Sequence, residues 1–216
     1  MSKLSTGAEA FYDDYIEVVD KIINSIPEAI YSLHQSIEIK QGVSFPPEED
    51  SIYILTRGIC ALYDSDETIL SNIISSPSII GASKIFFKSR NDVVINCIEK
   101  CVFLVMKVAD FHHFILKENQ WENLAKLFAA NLLFSMTFQR KVLKKNNYSV
   151  VKELIVEYNN LHPAAKGKIP VATYIQLRGQ LSRSSVMNIL SVLNKRGYIT
   201  ILRGKLIFID DLPETL

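Results

Sequence analysis

Between Ser182 and Lys205 the chain reads SRSSVMNILSVLNKRGYITILRGK, a run of hydroxyl, amide and basic side chains suited to a polyanion. Ser184, Met187, Asn188, Ser191 and Lys195 recur at helical spacing on one small, polar face, with Arg183 at its N-terminal corner. Small polar groups let a helix approach a surface closely, and amide and guanidinium groups can pair with base edges in a major groove. Arg203 and Lys205 are placed to hold phosphates, which fix orientation without reading sequence.

The elements that must position these groups are legible nearby. Ser182 can cap a helix, its side-chain oxygen accepting an N–H left free in the first turn. Val186, Ile189, Leu190 and Leu193 form the apolar stripe opposite the polar face. Gly197 stops the helix. Ile199–Leu202 and Lys205–Asp210 then read as a two-stranded wing turning at Arg203-Gly204.

Charge supports a DNA partner. The chain has 216 residues and a net charge of +1, but the distribution is uneven. From Arg140 to Lys205 there are thirteen basic residues against only Glu153 and Glu157, whereas residues 1–138 hold eleven against eighteen acids. The helix and wing lie in the basic half, as phosphate binding requires. The alternative is a winged helix that contacts another protein.

Other chemistry is poorly supported. Cys60, Cys97 and Cys101 lie in apolar stretches, an odd number that fits a reducing cytoplasm better than a disulfide framework. Three thiols fall short of the four that an iron–sulfur cluster needs. Cys97-x-x-x-Cys101 with His112-His113 is not a usual zinc spacing. Adjacent histidines on a helix point to different faces, which argues against haem. Thiol redox sensing stays open, because it depends on exposure and thiolate character. The chain has no P-loop, GxSxG elbow, HExxH or GxGxxG after a strand, so no enzyme and no cofactor are expected. No apolar run approaches the roughly 20 residues of a membrane span, and MSKLSTGAEAFYDDY lacks the apolar region of a signal peptide. The expected location is the cytoplasm.

The rest of the chain divides by period. Residues 8–26 predict an amphipathic helix ending near Pro27, set to cover the end of a barrel. Six β-rich runs follow between residues 36 and 107, punctuated by Gly42, Pro46-Pro47, Gly58, Pro77 and Gly81, which predicts a barrel or sandwich. ADFHHFILKE predicts a short helix, and Asn119–Asn146 a long one of about 27 residues spanning roughly 40 Å. The apolar faces of that helix, from Trp121 and Leu124 through Leu132 to Val142, are too wide for one small barrel, so a homodimer through this helix is expected. Asn146-Asn147-Tyr148 reads as a hinge, Ser149 as the cap of the next helix, Ala164–Lys168 as a loop and Ala172–Gln180 as the first helix of a helix-turn-helix. The class is α+β, with an N-terminal helix and barrel over 1–118, a dimerisation helix over 119–146 and a winged helix-turn-helix over 147–216.

This order resembles the CRP/FNR superfamily of bacterial transcription regulators. The likeness rests on IYILTRGICALY (52–63), SIIGASKIFF (78–87) and SRSSVMNILSVLNKRGYI followed by RGK, and runs from about Ser36 onward. It implies a jelly-roll sensor domain like that for cyclic nucleotides, a dimer bound to a two-fold DNA site, and RNA polymerase as a further partner. The family's base-reading positions map onto Arg183, Ser184 and Asn188, while Ser182, Ser185 and Lys205 match positions nearer phosphates. Two departures stand out. Gln180 sits where the family has a turn glycine, and Gly179 comes one place early. In the ligand pocket, Ala82 after Gly81 replaces the ribose-binding glutamate, and the phosphate-binding arginine aligns with Asn91, Arg90 lying one residue away. A cyclic phosphate without a cation is costly to bury, so no cyclic nucleotide is expected, and any signal the barrel senses is another ligand or a redox change.

Overall fold

The computed structural model describes residues 5–88, 93–142 and 146–216. In chain order the N-terminal elements are α1 (Ser5–Asn24), α2 (Glu28–Leu33), β1 (Gln35–Ile39), β2 (Ser44–Phe45), β3 (Ser51–Arg57), β4 (Ile59–Asp64), β5 (Leu70–Ser75), β6 (Ser78–Ile80), a 3-10 turn at Ala82–Ile85, β7 (Val93–Cys97) and β8 (Cys101–Lys107). Helices α3 (Val108–Lys117), α4 (Trp121–Val142), α5 (Asn147–Asn159), α6 (Pro163–Lys168), α7 (Val171–Gly179) and α8 (Arg183–Lys195) follow, then β9 (Ile199–Leu202) and β10 (Lys205–Ile209).

The N-terminal strands form two four-stranded sheets, ordered β1-β8-β3-β6 and β2-β7-β4-β5. That is the interleaved order of a jelly roll, two sheets rather than one closed barrel. The six β-rich runs of the sequence are all strands. Sequence reading missed β2 and β6, which are two and three residues long. They exist through pairing alone, Phe45 opposite Ile95 and Tyr53 opposite Ile80. The chain divides into two compact units, Met1–Cys60 with Ile74–Ser135, and Ala61–Ile73 with Met136–Leu216.

Within the first unit, β3 is buried on both faces. Successive side chains point oppositely along a strand, so Ile52 and Ile54 meet Val19 and Ile22 of α1, Phe111 and Phe114 of α3, and Leu124 and Leu127 of α4. Tyr53 points the other way and packs with Phe45 and Phe103, ring centroids 5.8 and 6.0 Å away. Helix α1 thus covers the roll, as its period predicts. Gly58 has φ +103, and a Cβ there would stand 2.6 Å from the Lys100 carbonyl oxygen, so the turn into β4 requires glycine.

The three cysteines are buried together in this unit. The Ile59 carbonyl, next to Cys60, accepts from the Ile98 N–H at 2.9 Å and the Cys101 Sγ at 3.3 Å. The hydrogen bond with Cys101 and burial raise the Cys60 and Cys97 thiols well above the ordinary range. Hydrogen bonds from those two lower Cys101. All three are fully shielded from solvent, as core cysteines are.

Three local expectations need correction. The long helix begins at Trp121 and not at Asn119, and is described as far as Val142, residues 143–145 of the expected span lying outside the described residues. Its successor is capped not by Ser149 but by Asn146, whose Oδ1 accepts from the Ser149 N–H at 2.8 Å. Pro163–Lys168 is a short helix and not a loop: Pro163 at its first turn suits the fixed φ of proline, and the His162 ring nitrogen accepts from the Ala164 N–H.

Candidate nucleic-acid interface

Helices α5, α7 and α8 pack around Val151, Leu154, Ile155, Tyr174, Ile175, Val186, Leu190 and Leu193, all buried. The α7–α8 connection explains the displaced glycine. Gly179 is the last residue of α7, and a Cβ there would lie 2.8 Å from Leu154 Cδ1 and 3.2 Å from Val150 Cγ1, so glycine lets α7 approach α5. Gln180 then turns the chain, in the left-handed region at φ 52. The helix itself is regular. A side chain in that region costs about 1 kcal/mol. Gln180→Gly is therefore expected to stabilise the protein by about 1 kcal/mol, read as a melting rise of about 2–4 °C.

Ser182 caps α8 as expected. Its Oγ accepts from the Ser185 N–H at 3.2 Å, with the hydroxyls of Ser184 and Ser185 at 3.1 and 2.9 Å. Ser185 is half-buried and lies 3.5 Å from Asn147 Nδ2, so its hydroxyl serves the cap and the α5–α8 contact. Arg183, Ser184, Met187, Asn188, Ser191 and Lys195 are exposed. Among the described residues, neither Arg183, Arg203 nor Lys205 has a carboxylate partner. Two acids of this unit are engaged elsewhere. Glu157 accepts from the Tyr174 hydroxyl at 2.9 Å and Arg178 Nε at 3.3 Å, and Glu214 pairs with Lys152 at 2.8 Å. Burial and the Glu157 charge hold the Tyr174 hydroxyl far above its ordinary range, a neutral donor.

The wing is anchored to the same frame. Arg203 and Gly204 have φ 51 and 80, the pair of positive values that a type I′ hairpin turn needs. The Gly204 carbonyl accepts from the Val171 N–H at 2.9 Å, which ties the wing tip to the start of α7. Arg203 and Lys205 are exposed there. The structure thus brings Ser182, Arg183, Ser184, Asn188, Arg203 and Lys205 to the solvent side of one compact winged helix.

Two features escaped sequence reading. Arg178 entered only as a basic charge, yet its guanidinium is mostly buried, paired with Glu157 and 3.7 Å from the centroid of the Phe138 ring. It also donates to the carbonyls of Leu70, at 3.4 Å, and Ser71. No sequence spacing announces such a set. The wing also exposes Leu202, Ile207 and Phe208, the last two because the β9–β10 register shifts between Leu206 and Phe208.

At the degenerate ligand pocket, Gly81 has φ 85 and Ala82 is buried in the apolar cluster with Ile52 and Ile79. A methyl group packed in the core thus stands where the family resemblance places a carboxylate. Lys84 lies over Gly81 and donates to the carbonyls of Glu48 at 2.8 Å and Ser51 at 3.2 Å. Arg90 and Asn91 lie outside the described residues.

Comparison with known proteins agrees with this architecture. Residues 147–214 match the family model for a winged helix-turn-helix that binds DNA. The c-di-GMP-responsive global regulator of Xanthomonas campestris is similar in structure, with a TM-score of 0.72 at 12% identity over 87% of this chain and 99% of that one. A CRP/FNR-family regulator from Eubacterium rectale has a TM-score of 0.65 at 15% identity over 88% of this chain and 93% of that one. In sequence, the chain is 24% identical over 175 residues to the "Inhibitor of hydrogen peroxide resistance" of Escherichia coli K12, covering 76% of this chain and 79% of that protein. The Salmonella typhimurium protein of the same name is 22% identical over 81% of this chain and 84% of its own. The chain therefore has the fold of the CRP/FNR family of transcription regulators, with a DNA-binding winged helix-turn-helix at its C-terminal end.

Proposed function

We propose that this protein is a homodimeric, sequence-specific DNA-binding regulator that works without cyclic nucleotide. The observation that carries the reading is the solvent face of α8: small, polar, basic at its corner and without a carboxylate. Arg183, Ser184 and Asn188 read base edges, while Ser182, Ser185, Arg203 and Lys205 hold phosphates. The free N–H groups at the start of α8 add to phosphate binding, as helix N-termini do. Ala82 in the core supports the loss of cyclic-nucleotide binding. The relatives named for hydrogen peroxide resistance point to promoters of oxidant defence, and RNA polymerase is the partner through which the bound dimer acts, in the cytoplasm.

Footprinting of the purified protein on genomic DNA tests this directly. The expected result is protection of two related half-sites about 34 Å apart on one duplex face. Affinity should fall steeply with salt, and Lys205→Ala should lower the slope of log K against log salt by about 1, with equal weakening on specific and random DNA. The exposed Leu202, Ile207 and Phe208 favour a second reading, a wing that docks on another protein. That reading requires salt-insensitive partner capture and no footprint.

A further inference from the structure

The first unit contains a cavity of about 470 Å³ between α1, α2 and the β1-β8-β3-β6 sheet. Ile23, Pro77 and Leu104 contribute its apolar lining, Ile23 and Leu104 being core residues. Asp20, Tyr31, Ser36 and Ser76 contribute polar groups. Among the described residues, none of those four side chains has a hydrogen-bond or ion-pair partner. The neighbouring Thr56 differs, since its Oγ1 already donates to the Val102 carbonyl at 3.1 Å. Neither Gly81 nor Ala82 is among the described residues that line the cavity. A cavity of this size with an apolar lining and a few unpaired polar groups is the usual form of a small-molecule site.

Charge selects the ligand. Among the described residues Asp20 is the only carboxylate in the lining, and no lysine or arginine accompanies it. A phosphate or carboxylate would meet the like charge of Asp20 with no cation in the described lining to offset it. An ammonium group has three N–H donors, which one carboxylate and the hydroxyls of Ser36 and Ser76 can match. The Tyr31 ring adds an aromatic surface that favours a cation. A single carboxylate serves one ammonium, and the apolar lining favours hydrocarbon on the other end. We propose that this cavity binds a small primary monoamine with an apolar body. The cavity is lined by residues of the first unit only and shares none with the DNA interface, so either proposal can fail without the other.

Calorimetry on the full chain tests it, with hexylamine, cyclohexylamine and phenethylamine as probes and 3-phenylpropionate and putrescine as counter-probes. At least one monoamine should bind at one site per chain with sub-millimolar Kd. The acid should give no binding heat, and putrescine should bind at least several-fold more weakly than the best monoamine. Asp20→Asn keeps the side-chain shape, and should weaken the best monoamine about tenfold or more, equal to at least 1.4 kcal/mol, with melting unchanged. Ser36→Ala, at an exposed position, should weaken it a few-fold and is the fallback should Asp20→Asn fail to fold. Saturable binding by none of the three amines, equal binding of 3-phenylpropionate, or unchanged affinity in a folded Asp20→Asn would overturn the proposal.

Discussion

Leu132→Glu combined with Met136→Glu is expected to convert the dimer to monomers and to weaken binding to a two-fold DNA site by about 10²–10⁴-fold. The expectation comes from where helix α4 stops being buried. Leu124 and Leu127 are fully buried against the first unit, but Leu132 is 60% exposed, Leu133 50% and Met136 42%. Leu132 and Met136 are four residues apart and share one face. In the proposed dimer a second copy of the helix covers that face in a two-stranded seam. Each half-site alone binds weakly, and joining two in one particle supplies the effective concentration. Two carboxylates placed opposite their own copies carry a repulsion that no partner residue relieves. Because the positions are solvent-facing in the monomer, its melting should move little, within about 0.5 kcal/mol. Light scattering and a gel-shift titration read both effects. A double variant that stays dimeric and keeps its affinity removes α4 from the dimer interface.

The second large effect belongs to Arg183→Ala. Arg183 opens α8, is exposed and, among the described residues, carries no ion pair that its removal would break. A bidentate arginine–guanine contact is worth about 1–3 kcal/mol of discrimination. The ratio of specific to random binding should therefore fall by about 10- to 100-fold, with melting unchanged. Asn188→Ala should act in the same direction at a different base pair. Lys205→Ala is the control, since a phosphate contact lowers both affinities together. An unchanged ratio in both Arg183→Ala and Asn188→Ala would move the base-reading contacts away from this face.

The reach of the sequence is clearest around α7 and α8. Ser182, the Val186–Leu193 stripe and Arg203-Gly204 act over one to four residues, and the capped helix and type I′ wing stand where those residues predict. The pair Gly179-Gln180 was legible only as an anomaly. Its meaning needed Leu154, twenty-five positions earlier, whose side chain would collide with any Cβ at 179.

What the sequence determined by itself was local and periodic: the helices other than α2 and α6, six of the eight described roll strands, the α8 cap, the hairpin and the separation of charge, each set by neighbours along the chain. Only the tertiary structure decided what depends on distant partners. Strands β2 and β6 are too short to exist unpaired, and Ala82 is a core residue because Ile52 and Ile79 surround it. Three cysteines from three strands converge behind one carbonyl, and Asp20 shares a cavity with Ser76. Closing such contacts depends on how the whole chain packs, and no short window of residues carries that information.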